Sequence, residues 1–341
     1  MATQKEVAER AGVSFITVSR VINQLGNVRA ETKQRVEDAI RELHYHPNRQ
    51  AQALNNGLTR TLALVTPRMF DRPLFDNFYV TRLLSGVEMK GRELGWDILM
   101  TTDHDQEGEF DFLRVWHQRK VDGLIFVGLK RFPSAQMEEI EAEGIPCVSI
   151  SDRMASPAVS WVDSNNVTGG QQAVEKLAAL GHRHLAYLGI DTTRDYSPNF
   201  RDRELGVREA ATRLGLKLDF VAASSIDAAG TETPRTYLAQ SPRATAVIAE
   251  NDSLAFEFQA ELARAGVFCP CDYSLIGFDA EPAGRIQKPT LASFGQPLLE
   301  MGQAAVQHLV DQLTGARSEK IEQVFDLEFV DGTSLSIPGG S

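Results

Sequence analysis

The chain has 341 residues, 43% of them hydrophobic, and a formal net charge of −11. This length is too great for one hydrophobic core, so we expect a small domain followed by a larger one. No run of about 18 apolar residues occurs, which argues against a membrane partner. The first segment is polar and lacks the apolar core of a signal peptide, and the three cysteines suit a reducing compartment. We therefore expect a cytoplasmic protein.

The charge is divided unevenly along the chain. Residues 1–60 contain nine basic and six acidic side chains, a balance of +3, so the remainder has a balance of −14. A basic first segment in front of an acidic body would confine a nucleic acid to one end of the protein. Repulsion by the body should make nucleic-acid binding strongly dependent on salt.

The first 22 residues have the pattern of two short helices joined by a tight turn. Val7 and Ala11 give the first helix one apolar stripe, and Gly12 supplies the backbone freedom that ends it. Ser14 is a good N-cap for the second helix because its hydroxyl can accept a hydrogen bond from an unpaired backbone N–H. The pattern predicts a helix-turn-helix.

The second helix has an inward and an outward face. Val18, Val21 and Ile22 are spaced to pack inward. The residues expected to face outward are Phe15, Ile16, Thr17, Ser19 and Arg20. A helix of this kind presents its outward face to the major groove of DNA. We expect Arg20 to contact a guanine edge, and the two apolar side chains to contact thymine methyl groups because they cannot donate hydrogen bonds.

A third helix is predicted from residue 31 to 43, where Val36, Ile40 and Leu43 have helical spacing and would close a three-helix core. Tyr45 and Pro47 would end this helix. Residues 48–57 then form a short helical pattern that ends at a glycine.

This order of elements resembles the LacI family of bacterial transcription regulators. The residues that carry the resemblance are Val7-Ala8, Ala11-Gly12-Val13-Ser14, Thr17-Val18-Ser19-Arg20-Val21-Ile22-Asn23, Leu43, Tyr45, Pro47-Asn48, Ala51 and Ala53-Leu54. The resemblance is close over the first 55 residues and looser through the rest of the chain. The full set of expected DNA contacts adds to the outward face Thr3, Ser14, Asn23, Arg29, Tyr45, Asn48, Ala51 and Leu54.

From residue 61 the chain alternates short apolar strands with helices. The predicted strands are 62–66, 98–101, 123–127, 147–150, 185–188, 246–249 and 274–277. The predicted helices are 79–94, 167–181, 200–214, 252–266 and 297–314. The alternation predicts parallel sheets covered on both faces, arranged as two doubly wound lobes with a ligand cleft at the carboxyl ends of the strands.

The expected fold class is an all-α three-helix headpiece with a hinge helix, followed by an α/β bilobed core similar to periplasmic binding proteins. The expected divisions are a helix-turn-helix domain at 1–47, a hinge helix and linker at 48–60, and a core at 61–341. The resemblance places about 61–160 and 292–320 in the first lobe. It places about 161–291 and 321–341 in the second.

The resemblance also implies the effector-binding residues. They are Phe75, Asn77, Phe78 and Tyr79 from the first lobe, with Asp152, Arg203, Asn251 and Asp279 from strand ends. Carboxylates and amides that sort hydroxyl groups, a planar guanidinium and aromatic rings together suit a sugar. Structural roles remain open, since Asp252 could cap a helix, Asp279 could hold a turn, and both Phe78 and Tyr79 could belong to the core.

No motif in the sequence indicates catalysis. The pair Gly169-Gly170 lies inside a helical pattern and fits no dinucleotide-binding fingerprint. His182 and His184 have no cysteine or carboxylate at ligand spacing, so we expect solvated histidines, no metal and no cofactor. The predicted protein is not an enzyme.

The expected function is a homodimeric, DNA-binding transcription regulator, a repressor whose affinity for its operator is controlled by a sugar. Two alternatives remain. The core could bind a phosphoprotein corepressor, or the chain could be a solute receptor, although the headpiece and the lack of a signal peptide argue against a receptor.

The first prediction concerns Leu54, the one large aliphatic side chain in a segment too short and too polar to form a stable helix alone. The resemblance places an intercalating leucine here, so Leu54 should act as a wedge between base pairs in the minor groove. Leu54→Ala should weaken operator binding and reduce DNA bending, measured by gel mobility, while the melting temperature of the core stays unchanged. A lower melting temperature with unchanged bending would mean that Leu54 packs against the core instead.

Overall fold

The computed structural model describes residues 2–22, 26–45, 57–66, 74–101, 111–127, 134–153, 156, 159–190, 198–223, 232–317 and 319–339. The chain divides into two compact units, Met1–Arg60 and Thr61–Ser341. We call the first unit the headpiece and the second unit the core.

The headpiece contains three helices, α1 (Gln4–Ala11), α2 (Phe15–Ile22) and α3 (Ala30–Glu42). Val7, Val18 and Val36 contribute one fully buried side chain from each helix to a common apolar core. The turn between α1 and α2 is possible because Gly12 adopts a left-handed conformation, with φ of 62°. The three-helix arrangement predicted from the apolar spacing is confirmed.

Side-chain caps fix the beginnings of α1 and α2. The Thr3 hydroxyl accepts a hydrogen bond from the Glu6 backbone N–H at 3.3 Å, and Glu6 Oε2 accepts one from the Thr3 N–H at 2.6 Å. The Ser14 hydroxyl accepts a hydrogen bond from the Thr17 N–H at 3.1 Å, as its N-cap position predicts. A helix this short depends on such caps because isolated helices of two turns are unstable in water.

The core alternates strands and helices. Its strands are β1 (Thr61–Val65), β2 (Asp97–Thr101), β3 (Gly123–Val127), β4 (Cys147–Ile150), β5 (Ser160–Ser164), β6 (His184–Gly189), β7 (Lys217–Ala222), β8 (Ala246–Ala249), β9 (Ser274–Phe278), β10 (Ala292–Gly295), β11 (Glu322–Phe325) and β12 (Glu328–Val330). Its helices are α4 (Phe78–Leu94), α5 (Arg114–His117), α6 (Ser134–Glu143), α7 (Asn166–Ala179), α8 (Pro198–Arg213), α9 (Glu232–Leu238), α10 (Asp252–Arg264) and α11 (Leu298–Leu313). Two short 3-10 helices lie at Leu74–Asp76 and Pro282–Arg285.

The strands form two six-stranded sheets. The first sheet has the order β11-β5-β4-β3-β1-β2 and the second β12-β10-β9-β8-β6-β7. All pairs are parallel except β10–β12, which is antiparallel. Central strands such as β3 and β9 are buried along their whole length, as strands covered by helices on both faces must be. The predicted pair of doubly wound lobes is confirmed, with β12 as an antiparallel edge.

The strand pairing corrects the expected division between the lobes. The expected bounds placed 292–320 in the first lobe and 321–341 in the second, whereas β10 pairs with β9 in the second sheet and β11 pairs with β5 in the first. Strand β5, at 160–164, also belongs to the first sheet rather than to the second. The chain therefore crosses between the sheets after β5, after β10 and after β11.

In each lobe two helices approach closely through glycines. A Cβ at Gly206 of α8 would lie 2.0 Å from the Val167 carbonyl oxygen of α7, and one at Gly170 would lie 2.3 Å from the Arg203 carbonyl oxygen. In the first lobe, Gly86 of α4 lies against the Leu299 backbone of α11 in the same way. Gly170 thus serves helix packing, with the contact of α7 and α8 falling at Arg203, whereas its neighbour Gly169 lies against the side chains of Leu327 and Phe278.

The expectation that His182 and His184 are solvated is wrong. His182 is 1% exposed, with Nδ1 2.8 Å from the Thr245 hydroxyl and Nε2 3.0 Å from both the Ser274 hydroxyl and the Ser336 carbonyl oxygen. His184 Nε2 lies 2.6 Å from Asp219 Oδ2 on the neighbouring strand. Both rings have structural partners that are remote in sequence, which local spacing could not reveal.

Candidate DNA-contacting surface and effector cleft

The outward face of α2 exposes two large apolar side chains. Phe15 is 48% exposed and Ile16 is 63% exposed, while Val18 on the opposite face is fully buried. Arg20 is exposed beside them. Two adjacent exposed apolar side chains beside a cation form a small surface suited to contact with a partner. This face can offer methyl contacts and one forked donor to a base edge.

The other expected DNA contacts differ in how exposed they are. Thr3 and Ser14 are exposed but use their hydroxyls as helix caps, and the Ser14 hydroxyl also lies 2.9 Å from the Thr17 hydroxyl. Arg29 is exposed just before α3, whereas Ser19 and Tyr45 are half-buried. Burial raises the pKa of Tyr45, which packs against the headpiece core. The remaining expected contacts that lie outside the described residues are Asn23, Asn48, Ala51 and Leu54.

In the core, Arg203 of α8 is the most deeply buried of the expected effector residues, at 1% exposure. Its guanidinium donates from Nε to Asn166 Oδ1 at 2.7 Å and from one terminal nitrogen to the Glu250 carbonyl oxygen at 2.6 Å. The other terminal nitrogen lies 3.4 Å from Asp279 Oδ1. The Phe278 ring lies under the guanidinium with its centroid 4.8 Å away. Three acceptors in three directions fix the plane of the fork.

Asp279 follows β9 in a strained turn. Asp279 has φ of 97° and Ala280 has φ of 48°, both in the left-handed region that residues with a Cβ rarely occupy. The buried Asp252 carboxylate stabilises this turn, because Oδ2 accepts from the Glu281 N–H at 2.7 Å and Oδ1 accepts from the Ser293 hydroxyl at 2.7 Å. Burial raises the pKa of Asp252, and the nearby Asp279 carboxylate adds to the rise. Asp252 therefore fixes the conformation of the turn that carries Asp279.

Two expected effector residues are helix caps. Asn251 Oδ1 accepts a hydrogen bond from the Leu254 N–H at 2.8 Å and begins α10. Asn77 Oδ1 accepts one from the Val80 N–H at 3.0 Å and begins α4. The sequence reasoning weighed capping for Asp252, whereas the cap of α10 is its neighbour Asn251.

Tyr79 lies where the two lobes meet. Its hydroxyl hydrogen-bonds the Ser151 hydroxyl of the first lobe. Asn199 of α8 reaches across from the second lobe, with Oδ1 accepting from the Tyr79 hydroxyl at 3.3 Å and Nδ2 donating to Asp163 Oδ1 at 3.2 Å. Burial raises the pKa of both Tyr79 and Asp163, the latter against the opposing effect of Arg153. These polar groups bring the two sheets' carboxyl ends together.

Arg153 and Trp161 are further cleft candidates that the sequence reasoning missed. Arg153 Nε donates to Asp163 Oδ2 at 2.7 Å, and its guanidinium lies 5.5 Å from the centre of the Trp161 ring. Asp152, which was expected at the site, is half-buried beside Arg153. The indole beneath the guanidinium makes a cation–π contact that helps to hold Arg153 beside Asp163.

A cavity of about 590 Å³ opens between the lobes beside the chain crossings. Its walls include Phe78 and Arg82 of α4, Asp279 and Arg285 of the second lobe, and Gln296 after β10. This volume lies within the range of small-molecule sites. The structure thus brings Phe78 together with Asp279, whereas Phe75 is 62% exposed in the 3-10 helix before α4.

The polar residues that the sequence reasoning missed share one cause. Strand β5 reads Ser-Trp-Val-Asp-Ser, which has too few apolar residues to be recognised as a buried strand, so its end residues Asp163 and Ser164 were not considered. Gln296 was missed because β10 reads Ala-Ser-Phe-Gly, which likewise has too few apolar residues to be recognised as a strand. A strand signal at either place would have identified the side chains at its carboxyl end as candidates.

One group with metal-ligand chemistry lies on the surface of the first lobe, among the residues that the structure describes. The ligand atoms of His117, Glu139 and Glu143 lie within 4.8 Å of one another, and His117 Nε2 is 2.6 Å from Glu139 Oε1. His117 and Glu143 are exposed and Glu139 is half-buried, so water competes with any ion there. The group lies outside the cleft described above.

Comparison with known proteins agrees with the two-unit architecture. A model described as bacterial regulatory proteins of the lacI family matches residues 3–48, and a model of a periplasmic binding protein-like domain matches residues 174–335. The chain is 33% identical to the HTH-type transcriptional regulator DegA of Bacillus subtilis (strain 168) over 304 residues, 87% of each chain. It is 32% identical to the HTH-type transcriptional regulator CelR of Thermobifida fusca over 335 residues, 95% of each chain.

A solved structure described as a complex of the transcriptional regulator CelR with cellobiose has a TM-score of 0.71 to this chain. The two are 28% identical, and the match covers 98% of this chain and 100% of that one. A headpiece that exposes a recognition helix, joined to a bilobed core, defines a DNA-binding transcription regulator. This chain belongs to the LacI family of bacterial regulators. Its relatives are transcription regulators rather than enzymes.

Within the ranges that the structure describes, none of the helices combines the length and the apolar composition needed to cross a bilayer.

Glu250 is a buried acid directly behind the Arg203 site. Its side chain is fully buried, and Oε2 accepts a hydrogen bond from the Ile190 N–H at 3.0 Å. Burial raises the pKa of Glu250 to about 8, although the Ile190 amide and the Arg203 charge oppose the rise. Glu250 is therefore protonated in the folded protein at pH values where it is ionised in the unfolded chain.

Glu250→Gln tests this assignment through the pH dependence of stability. Between about pH 4.3, the ordinary value for an unfolded glutamate, and pH 8, the folded protein binds one more proton than the unfolded chain, so the free energy of unfolding falls as pH rises. One such proton contributes at most about 1.4 kcal/mol per pH unit. Glu250→Gln keeps an acceptor for Ile190 and should flatten the slope, measured by urea unfolding from pH 5 to 8. The exposed Glu141→Gln is the control, and equal slopes in both variants would contradict the assignment.

Proposed function

We propose that this regulator is a repressor that acts in the cytoplasm as a homodimer, with each headpiece bound to one half of a near-palindromic operator. A sugar bound between the lobes controls its affinity for the operator. The proposal has a DNA-binding part and an effector-binding part, and different observations support them.

The exposed face of α2 supports the DNA-binding part. Ile16 at 63% exposure and Phe15 at 48% lie opposite the fully buried Val18, so packing within the headpiece accounts for one face of α2 only. Docked in a major groove, the two apolar side chains would contact thymine methyl groups, and Arg20 would donate to a guanine edge. The excess of basic residues in 1–60 favours the same partner.

The pair formed by Arg203 and Asp279 carries the effector-binding part. The Asp279 carboxylate, on a strained turn, lies in the wall of a cavity of about 590 Å³, and the buried Arg203 guanidinium lies behind it. A sugar hydroxyl can donate to the carboxylate and accept from a guanidinium N–H, and the ring of Phe78 in the same cavity wall can contact its apolar face. The relative solved with cellobiose supports a sugar as the effector class.

The edge of the first sheet supports self-association. Strand β2 is an edge strand whose Met100 is 37% exposed, and Met89 on the neighbouring α4 is 40% exposed. Among the residues that the structure describes, the outer edge of β2 has no strand partner. Exposed apolar side chains beside such an edge favour burial against another chain, and a two-fold arrangement would match a near-palindromic operator.

The three chain crossings support control by lobe closure. A ligand that contacts both lobes binds a closed arrangement more tightly than an open one, and it shifts the population by that difference in affinity. In a dimer, a shift of the two first lobes would move the hinge segments that precede residue 61 and so change operator affinity.

The DNA-binding part is tested with Arg20→Ala on an operator selected from random duplexes. A forked contact to guanine discriminates by about 1–3 kcal/mol, so the variant should lose affinity for the selected operator and most of its preference over random DNA. The affinities are measured by fluorescence anisotropy at one fixed salt concentration. Lys33→Ala on α3, 56% exposed, is the control and should leave the preference intact. An equal loss on both DNAs with Arg20→Ala would show that Arg20 contacts phosphate only.

The effector part is tested with Asp279→Asn, because truncating the buried Arg203 would also remove the partners of Asn166 and Glu250. A thermal-shift panel of sugars, sugar phosphates and nucleosides, with cellobiose as its first member, identifies the ligand. Loss of a charged acceptor should weaken its binding by about 1.5–3 kcal/mol, measured by calorimetry, while operator affinity without ligand is kept.

Asp311→Asn, on the distant end of α11, is the matched control and should bind the ligand normally. If Asp279→Asn also binds normally, Asp279 only holds the turn, and the effector site lies elsewhere. If the panel yields no sugar but a nucleoside binds, the sugar class is wrong and the cleft is retained.

A further inference from the structure

Five buried polar side chains form a closed ring of hydrogen bonds where the chain passes between the lobes. We call it the interlobe ring. Its members are Ser164, Asn166, Arg203, Asp279 and Gln296. The Ser164 hydroxyl donates to Gln296 Oε1 at 2.5 Å, and Gln296 Nε2 donates to Asp279 Oδ1 at 2.6 Å. Arg203 donates to the same Asp279 Oδ1 at 3.4 Å and, through Nε, to Asn166 Oδ1 at 2.7 Å. Asn166 Nδ2 closes the ring by donating to the Ser164 hydroxyl at 2.9 Å.

The members come from different parts of the fold. Ser164 ends β5 in the first sheet, and Asn166 begins α7 just after the first crossing. Gln296 follows β10 at the second crossing, and Asp279 follows β9 in the second sheet. The ring therefore joins the end of a first-lobe strand to the second lobe through side chains, at the two places where the backbone also crosses.

Because the ring is buried, the loss of any one of its hydrogen bonds would destabilise the fold. Ser164 and Asn166 are fully buried, Arg203 is 1% exposed, Gln296 8% and Asp279 9%. A buried polar group that loses its partner keeps the full cost of its desolvation, because water cannot replace the lost bond. One member therefore cannot change position without either moving its neighbours or leaving a buried polar atom unsatisfied.

Ser164 and Gln296 each make hydrogen bonds to two other members of the ring, so a change at one bond affects the other. The Ser164 hydroxyl is at once the donor to Gln296 and the acceptor from Asn166. The Gln296 amide uses its oxygen toward the first lobe and its nitrogen toward Asp279. Reversing that amide would set an N–H against the Ser164 hydroxyl and an oxygen against a carboxylate, so its orientation is set by both lobes together.

We propose that Ser164, Asn166 and Gln296 are positioning residues that hold Arg203 and Asp279 in one geometry and transmit a displacement of either to the first lobe. The proposal rests on the proposed effector site, because Arg203 and Asp279 are the groups that would contact the sugar. A ligand hydroxyl that competes for Asp279 Oδ1 would release Gln296 Nε2, and the loss would reach Ser164 through the same amide. The three residues act through Arg203 and Asp279 and need not touch the ligand.

The test is hydrogen–deuterium exchange of the full chain with no ligand added. Ser164→Ala removes a first-lobe hydroxyl, and Gln296→Met removes the amide while keeping the length of the side chain. Ser164→Ala should accelerate exchange in a second-lobe peptide spanning 276–282, and Gln296→Met should accelerate it both there and at 160–166. The loss of one buried hydrogen bond corresponds to an acceleration of about two- to tenfold.

Two matched controls lie outside the ring. Ser160→Ala removes a hydroxyl from the same strand, where it accepts from the Ile321 N–H at 3.1 Å within the first lobe, so its effect should stay in that lobe. Gln312→Met changes an exposed glutamine on α11 and should change nothing. If Ser164→Ala alters exchange only in the first lobe, as Ser160→Ala does, the ring is local packing and the proposal is overturned.

A second variant guards against a Ser164→Ala protein that does not fold. In that case Gln296→Met decides, and unchanged exchange at 160–166 would overturn the proposal. Because no ligand is used, a sugar panel without a hit would refute the effector class and leave this result standing. Conversely, a sugar that binds at Asp279 while Ser164→Ala changes exchange only in the first lobe would support the effector site and refute the transmission between the lobes.

Discussion

The buried guanidinium of Arg203 is the constraint on which the cleft depends. A charge at 1% exposure is tolerable only when its donors are satisfied, so three separate segments must deliver acceptors to one point. Asn166, the Glu250 carbonyl and Asp279 meet that requirement. The fork can lie there because the glycines of α7 and α8 let the two helix backbones come into contact beside it. The close packing of α7 and α8 and the position of the Arg203 guanidinium therefore depend on each other.

The same constraint explains why the turn after β9 is strained. Asp279 directs its carboxylate toward both Arg203 and Gln296 from a backbone with positive φ at residues 279 and 280. The Asp252 carboxylate holds the turn through the Glu281 N–H and the Ser293 hydroxyl. Strain of this kind persists where surrounding contacts over-determine the backbone.

The headpiece is stabilised differently from the core. Its three helices are short, so caps and a small valine-centred core stabilise them, and the residues left outside are those that suit a base edge. The positive balance of residues 1–60 and the negative balance of the remainder separate the attraction for DNA from the repulsion. This division suits a regulator in which one unit reads DNA and the other responds to a ligand.

Much of the fold could be predicted from local sequence pattern, and the exceptions have physical causes. Strands β3 and β8 are uninterrupted apolar runs, and their bounds were predicted as they occur. Strand β5 was missed because its aspartate and two serines interrupt the apolar run that marks a buried strand. The lobe division failed because β10 and β11 contain too few apolar residues to be recognised as strands, and because β11 pairs with β5, which lies far away in sequence. Arg203 and Asp279 were expected at one site, whereas Ser164, Asn166 and Gln296 show their role only through partners that lie as many as 132 residues apart.

The most direct test of the Arg203 constraint is a double-mutant cycle on Arg203 and Asp279, measured as the free energy of unfolding of the full chain in urea without ligand. Arg203→Met and Asp279→Asn each keep the approximate length of the side chain. If the two groups form one buried unit, their combined effect should differ from the sum of the single effects by about 0.5–3 kcal/mol. Effects that add to within about 0.5 kcal/mol would show that the two residues are independent and would contradict the central role of the buried guanidinium.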